Sequence, residues 1–243
     1  MLETKEKIKK DEYKGETEKM AIAGLHFGHK TSKTHPKMKQ FVSSTRNGIH
    51  HIDLDKTEEK IKEAMEAVKE LLASGKVLLL VGTKIQMKSL TKQYGIAMGL
   101  PYVNYRWLGG TFSNYDTMRK RVLYFRDLEK KKTDGELEKY TKKERLLIDK
   151  KLRDLENRFG GIKSLDKMPD AVFVLDMKKD AFAIKEALDK KMKVFCIADM
   201  DVDPSAVDYF IPANDDAINS VRYILERLKE TVLSIQVKPA DKE

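Results

Sequence analysis

The sequence predicts an α/β fold in which a parallel β-sheet carries helices on both faces and is interrupted by a pair of long helices. Three apolar runs carry the prediction of the sheet, at residues 77–81, 171–175 and 194–198. Uninterrupted apolar runs of this length are typical of parallel strands that are buried on both faces. Helical patterns alternate with these runs, as expected when each crossover between parallel strands is a helix.

The N-terminal part begins with residues 1–19, which are rich in lysine and glutamate and are predicted to form a flexible charged arm. Short strands follow at residues 41–42 and 49–52, separated by a turn that contains Asn47-Gly48. Asp55, with Glu58 as its capping-box partner, predicts the start of a helix that ends at Gly75. The strand at residues 77–81 then leads into a second helix, which ends near residue 99.

The middle of the chain predicts an antiparallel coiled-coil hairpin. Its apolar residues alternate in spacings of three and four, a pattern typical of a narrow helix–helix seam: Tyr115, Met118, Val122 and Phe125, then Ile148, Leu152, Leu155 and Phe159. Thr141 and Glu144 form the capping box of the second helix. The predicted domains are thus a discontinuous α/β domain over residues 20–111 and 160–236, the hairpin over 112–159, and a flexible tail over 237–243.

The C-terminal part continues the alternation of strands and helices. A helix is predicted over residues 180–190, a short strand over 209–211, and a final amphipathic helix that starts at Asn214 or Asp215. The strand at residues 194–198 is followed by Asp199, Asp201 and Asp203, which are weak candidates for binding a divalent cation. The Gly and the distal Glu of a calcium loop are missing here, and Asp203-Pro204 is also typical of a turn.

The net charge of +9 is concentrated in two regions. No acidic residue occurs from Lys19 to Ile52 or from Leu71 to Tyr115, and these two windows contain eleven lysine and arginine residues. A regional excess of this kind is what a polyanion-binding surface requires. The residues predicted to form that surface are His26, His29, Lys30, Lys33, Lys37, Lys39, Arg46, Lys84, Lys88, Asn104, Arg106 and Trp107.

Two of these predictions have structural alternatives. Trp107, the only tryptophan, is followed by Gly109-Gly110 and is interpreted either as a core ring beside a tight turn or as a contact residue. All five histidines lie between His26 and His51, but no cysteine accompanies them and their spacing is not that of a zinc finger. We therefore interpret residues 26–39 as an irregular basic arm rather than a zinc site.

The alternative function is a phosphate- or nucleotide-using α/β enzyme that acts at the C-terminal ends of the strands. Gly82-Thr83-Lys84 resembles a fragment of a phosphate loop, but Ile85 stands where the loop needs Ser or Thr. No GxGxxG motif and no nucleophile motif occurs in the sequence. These observations favour a binding protein over an enzyme.

Several stretches, taken in order, resemble the bacterial small-subunit ribosomal protein two family. They cover about residues 20–236, and they include Gly24-Leu25-His26-Phe27-Gly28-His29, Pro36-Lys37-Met38, Val81-Gly82-Thr83-Lys84, Arg106-Trp107-Leu108-Gly109-Gly110, Gly160-Gly161-Ile162-Lys163, Pro169-Asp170-Ala171, Asp203-Pro204 and Ile211-Pro212-Ala213-Asn214-Asp215-Asp216-Ala217. The resemblance implies a flavodoxin-like α/β domain with an inserted coiled-coil hairpin. It also implies a non-enzymatic constituent of the small ribosomal subunit, bound to ribosomal RNA between head and body.

The implied partners are small-subunit ribosomal RNA and neighbouring small-subunit ribosomal proteins, including the large messenger-recruiting one. The resemblance implies no DNA partner. No membrane partner is expected either, because no apolar run approaches the length needed to span a bilayer. We expect no cofactor, and the aspartates after residue 198 stay only weak candidates for a divalent-cation site, since the turn is the preferred interpretation. The single cysteine and the absence of an N-terminal apolar segment favour a cytoplasmic location.

Overall fold

The computed structural model describes residues 15–236, so the predictions for most of the N-terminal arm and for the tail at 237–243 lie outside the described residues. The first helix, α1 (Glu16–Ala23), includes the last residues assigned to that arm and ends at Gly24, which has a left-handed φ of 81°. After it come β1 (Phe27–Lys30), β2 (Val42–Arg46) and β3 (Ile49–Ile52).

These three strands form an antiparallel sheet in the order β1-β3-β2. Asn47 and Gly48 both have positive φ, at 51° and 74°, as the predicted two-residue turn between β2 and β3 requires. The interpretation of residues 26–39 as irregular was wrong for β1, because Phe27–Lys30 pairs with β3. Between β1 and β2 the chain forms two short 3-10 helices, Thr31–Lys33 and Pro36–Phe41, and buries Met38 and Phe41.

The larger sheet is parallel and contains five strands. The part of the chain that forms its first two strands contains, in order, α2 (Leu54–Ala73), β4 (Leu78–Val81), α3 (Lys88–Met98) and β5 (Tyr102–Val103). Helix α2 is capped by Asp53, whose side chain accepts a hydrogen bond from the Asp55 backbone N–H, so the predicted cap was two residues too late.

The two helices of the middle region follow β5 as α4 (Tyr115–Thr133) and α5 (Lys142–Phe159). The capping box between Thr141 and Glu144 is present at the start of α5, as predicted. After α5 come β6 (Ala171–Val174), α6 (Ala181–Asp189), β7 (Lys193–Ala198), β8 (Tyr209–Pro212) and α7 (Ile218–Gln236).

The strand order is β5-β4-β6-β7-β8, with every neighbouring pair parallel. Numbered along the chain from β4, this is the order 2-1-3-4-5 of the flavodoxin-like doubly wound fold. The predicted α/β fold with helices on both faces of a parallel sheet is therefore confirmed. In this fold, polar groups that follow the strands meet at one edge of the sheet, which we call the C-terminal edge.

Side chains alternate between two cores, one on each face of the sheet. Leu78 and Leu80 pack with α1, α2, α3 and α7, whereas Leu79 and Val81 pack with α6, the Trp107 region and the long helices. The residues predicted to form the helix–helix seam differ in how deeply they are buried. Met118, Val122, Phe125, Leu152 and Phe159 are buried in the same core as Leu79, and Ile148 and Leu155 pack against it half-buried.

The base of the two long helices is thus part of the main core, because the buried residues of α4 and α5 are continuous with the sheet. The two helices also contact each other. That residues 112–159 form a separate coiled-coil unit stays a prediction.

Candidate nucleic-acid interface

The C-terminal edge of the sheet holds a cluster of charges centred on Lys84. Its Nζ lies 2.9 Å from an oxygen of Asp176, 2.9 Å from Asp215 and 2.7 Å from Asp216. The strands bring these residues together: Lys84 follows β4, Asp176 follows β6, and Asp215 and Asp216 follow β8. A close approach of the backbone helps, because a Cβ on Gly82 would meet Thr91 and lie 2.7 Å from Leu175 Cδ1.

The ammonium of Lys84 is therefore an internal counter-ion. Its side chain is only 16% exposed, and a buried charge is stable only when it is paired and hydrogen-bonded. Burial works to lower the pKa of Lys84, but its hydrogen bonds to the three aspartates outweigh burial and raise that pKa. Because its charge is already paired, we no longer count Lys84 among the candidate polyanion contacts. For the same reason, Lys84 cannot supply the positive charge that a nucleotide-binding Gly82-Thr83-Lys84 loop would need.

Asp215 is the most perturbed carboxyl group of the cluster. Burial and the neighbouring Asp176 raise the pKa of Asp215 to about 7, against the opposing effect of Lys84. A second buried carboxyl group, Asp180, accepts hydrogen bonds from the hydroxyl and the backbone N–H of Thr83, at 2.6 and 3.1 Å. Burial also raises the pKa of Asp180. Both groups lock the loop that follows β4 against α6 and the end of β8.

His29 connects the small antiparallel sheet to this cluster. Its Nδ1 lies 3.1 Å from Asp199 Oδ2, and its Nε2 lies 3.9 Å from Asp216 Oδ2. The interaction with the Asp199 carboxylate raises the pKa of His29 to about 9, even though burial opposes this. His26 is 6% exposed and packs with Phe27 at 4.0 Å between ring centroids. Both histidines therefore have structural partners, and neither is an open donor for a phosphate.

The three aspartates after β7 do not converge on one point. Asp199 pairs with His29, Asp201 with Lys178 at 2.6 Å, and Asp203 with Lys37 at 2.8 Å. Within residues 15–236, no group of three or more histidine, cysteine, aspartate or glutamate side chains is arranged to hold a metal ion. The geometry therefore gives no support to Asp199, Asp201 and Asp203 as a divalent-cation site.

The basic arm, which we extend here through β2 to Arg46, presents four exposed cations, Lys30, Lys33, Lys39 and Arg46. Lys30 and Arg46 both lie opposite Ile49 in the small sheet, so β1 and β2 place them at the same end of that sheet. None of the four forms an ion pair with another residue of the described part of the chain. Lys37 differs, because its ammonium is held by Asp203.

Trp107 is a core residue. It is 8% exposed, and its ring meets Phe112 edge-on at 4.9 Å between centroids. The loop around it is fastened by Glu186 of α6, whose carboxylate accepts backbone N–H groups from Gly110, Phe112 and Ser113 at 2.7, 2.9 and 3.3 Å. Gly110 has a φ of 90°, which explains the need for glycine there. Of the two interpretations of Trp107, burial supports the core ring, and we remove it from the candidate contacts.

The outer side of this loop stays exposed and basic. Asn104 donates its side-chain amide to the Lys88 carbonyl oxygen at 3.1 Å, and Arg106 is exposed. Lys88 is half-buried, and its Nζ lies over the ring of Tyr105, 4.4 Å from the centroid. Asn104, Lys88 and Arg106 thus remain candidate contacts together with the arm, and we call these three residues, with Tyr105, the loop rim.

Sequence reasoning missed three of the groups that shape this site. Glu186, Asp180 and Lys178 looked like ordinary surface residues on or near a helix, and their partners lie more than 20 residues away in the chain. The only available signal was position, since Asp180 and Lys178 follow a buried strand closely.

Comparison with known proteins gives a consistent result. A model of the family described as Ribosomal protein S2 matches residues 20–234. The protein named small ribosomal subunit protein uS2 from Roseiflexus sp. is 42% identical over 214 residues, which is 88% of this chain and 82% of the relative. The protein of the same name from Chlorobaculum tepidum is 38% identical over 230 residues, covering 95% of this chain and 92% of the relative. In the described part of the chain, no helix is long and apolar enough to cross a membrane.

Proposed function

We propose the function of this chain from one premise: it belongs to the ribosomal protein S2 family. It is thus a structural protein of the small ribosomal subunit and not an enzyme. The proposal is that it binds ribosomal RNA through the basic arm and the loop rim, and that this contact supports assembly of the subunit and translation.

The exposed cations that have no ion-pair partner carry this proposal. Two lysines at the C-terminal edge, Lys84 and Lys178, are neutralised within the protein by aspartates. Lys30, Lys33, Lys39 and Arg46 are exposed and, within residues 15–236, lack an acidic partner. Cations left without an acid are available to replace the counterions of an RNA backbone, which is the main source of affinity for a nucleic acid.

The chemistry of these cations favours contacts that do not depend on the RNA sequence. Lysine acts on a phosphate as a point charge, and arginine adds a planar pair of hydrogen bonds. Double-stranded RNA is recognised mainly by shape and through its phosphates and 2′-hydroxyls. The small antiparallel sheet supplies a rigid base for these side chains, because Met38 and Phe41 anchor the segment between β1 and β2 in the core.

The resemblance to the family supports the finer parts of the proposal. It favours a position between the head and the body of the subunit, with neighbouring small-subunit proteins as partners, including the large messenger-recruiting one. We propose that the protein acts in the cytoplasm as part of the ribosome and needs no cofactor for RNA binding. The expected partners do not include DNA.

The test is the salt dependence of RNA binding by the full-length chain and a variant in which Lys30, Lys33 and Lys39 are replaced by Ala. If each lysine neutralises one phosphate, the slope of log affinity against log salt should fall by roughly 2–3 for binding to small-subunit RNA. The matched control replaces Lys69, Lys185 and Lys190 by Ala, since these are also exposed but lie outside the basic arm. It should leave the slope unchanged.

Two further measurements complete this test. Lys37→Ala alone should change the slope less than Lys33→Ala, because Lys37 is already paired with Asp203. Co-sedimentation with small ribosomal subunits should be weakened by the arm variant and kept by the control variant. An equal loss of slope in the arm and control variants would show that net charge, and not this surface, governs binding.

A further inference from the structure

The loop rim contains an aromatic side chain whose placement is unlike that of Trp107. Tyr105 is 48% exposed and stands at the C-terminal edge, two residues after β5. Lys88, the first residue of α3, holds its ammonium 4.4 Å from the centre of the Tyr105 ring. The hydrogen bond from the Asn104 amide to the Lys88 carbonyl oxygen ties the segment after β5 to the start of α3.

The surroundings of Tyr105 leave room for a flat ligand. The lysine covers one face of the ring, and within residues 15–236 no other aromatic ring stacks on it. Ile85, 83% exposed, lies one helical turn before Lys88, and Arg106 is exposed next to the tyrosine. No acidic residue occurs in the sequence from Leu71 to Tyr115, so the loop rim itself carries only positive charges.

This combination is suited to a nucleobase that carries its own phosphate. Bases stack on aromatic side chains whatever their identity, and a nearby lysine or arginine adds attraction to the phosphate and to the ring. A base within a duplex has both faces covered by its neighbours, so only an unpaired base can use a protein ring in this way. An acidic protein segment would also suit the charge, but the flat exposed ring favours RNA.

We infer that Tyr105 is a stacking platform for an unpaired base of RNA, with Lys88 beneath the ring and Arg106 beside it to contact the adjoining phosphates. This inference rests on the proposed RNA-binding function and adds to it a preference for single-stranded RNA at one position. It also assigns the aromatic contact of the loop to Tyr105 instead of the buried Trp107.

The chain contains a matched control for this site. Tyr140 is 40% exposed, and Lys139 lies over its ring at 5.8 Å. It differs from Tyr105 in its neighbours, because Glu136 and Glu138 lie in the short 3-10 helix Glu136–Lys139 that ends directly before Tyr140. An exposed tyrosine under a lysine but beside acids should not attract RNA.

The experiment measures binding of the full-length chain to two fluorescein-labelled probes, a 12-nucleotide oligoadenylate and a 12-base-pair RNA duplex, by fluorescence anisotropy. Tyr105→Ala should weaken binding of the single strand by roughly 5- to 150-fold, the range expected for losing one base–aromatic stack. Binding of the duplex should not change. Tyr105→Phe should keep the single-strand affinity because the ring remains, and Tyr140→Ala should keep both affinities.

A second variant separates stacking from folding. Tyr105→Leu keeps an apolar side chain without an aromatic face, so it should show the same loss as Tyr105→Ala while retaining the wild-type melting temperature. An unchanged single-strand affinity in both variants overturns the inference, as does an equal loss on the single strand and the duplex.

The same assay separates failure of this inference from failure of the proposed function. Wild-type chain that binds both probes, with no effect of Tyr105→Ala, removes only the stacking site. If the wild-type chain binds neither probe and also fails to bind small-subunit RNA, both the proposed function and the stacking site are wrong. If Tyr105→Ala keeps RNA binding but loses binding to RNA-free small-subunit proteins, the patch is a protein contact and the inference is wrong.

Discussion

Replacing His29 by Gln should destabilise the protein in a manner that depends on pH. His29 lies on β1 and pairs with Asp199, which is 1% exposed at the end of β7. The amide of a glutamine can still donate a hydrogen bond to that carboxylate, but it carries no charge. The substitution therefore removes the ion pair and preserves much of the shape and polarity of the contact.

The magnitude follows from the pKa of His29, which rises from 6.5 to about 9 in the folded protein. A tenfold difference in proton affinity corresponds to about 1.4 kcal/mol, so the full effect is at most about 3–4 kcal/mol. Because the folded pKa is raised, this stability is fully present below pH 6.5 and is lost as the pH rises through 9. The side chain is 25% exposed, and solvent screening reduces the expected value to roughly 1–3 kcal/mol.

The assay is urea denaturation of wild type and His29→Gln at several values between about pH 6 and pH 10. The difference in unfolding free energy should be largest at the acidic end and close to zero at the alkaline end. His50→Gln is the matched control, because His50 pairs with the Thr45 hydroxyl at 2.8 Å and not with a carboxylate. A difference between His29→Gln and wild type that is the same at all pH values would refute the reasoning.

Two other predictions concern the loop and the long helices. Glu186→Ala should cost roughly 2–4 kcal/mol of stability and shift the emission of Trp107 to longer wavelength, because three backbone N–H groups lose a charged acceptor; Glu186→Gln should cost less, and an unshifted emission spectrum in the Ala variant would contradict the role of Glu186. Replacing residues 129–149 by a short linker should preserve cooperative thermal unfolding, whereas removing all of 112–159 should abolish it, since Met118, Val122, Phe125 and Phe159 belong to the core of the sheet. Equal melting temperatures for the two deletion variants would show that the base of the helices is not needed.

The sequence was most informative for strands in which nearly every residue is buried. The strands at residues 77–81, 171–175 and 194–198 were placed within a residue or two, because unbroken apolar runs have few alternatives in a protein of this size. The strand β1 was missed because Gly28 and His29 have little preference for strands. Its pairing with β3 joins Phe27 to His51 and Lys30 to Ile49, and such distant partners could not be predicted from the local sequence pattern.

The sequence predicted which basic residues belong to the candidate site, but it did not predict which of them form ion pairs. The exposed arm cations follow directly from an acid-free stretch of sequence. Which lysines are free does not follow, since Lys84 and Lys37 find aspartates more than 90 residues away, at 176 and 203. Trp107 was open to two interpretations for the same reason: local sequence shows a ring between an arginine and two glycines, and only the fold shows what covers it.

The pairing of Lys84 also determines whether the stability of the protein depends on the concentration of a ligand. Doubly wound folds usually hold a diffusible ligand at this edge, and their stability then varies with the concentration of that ligand by mass action. Here the positive charge at the same place is a side chain of the protein, so its presence does not vary with any solute. A newly made chain can therefore complete this part of its structure before it meets any partner.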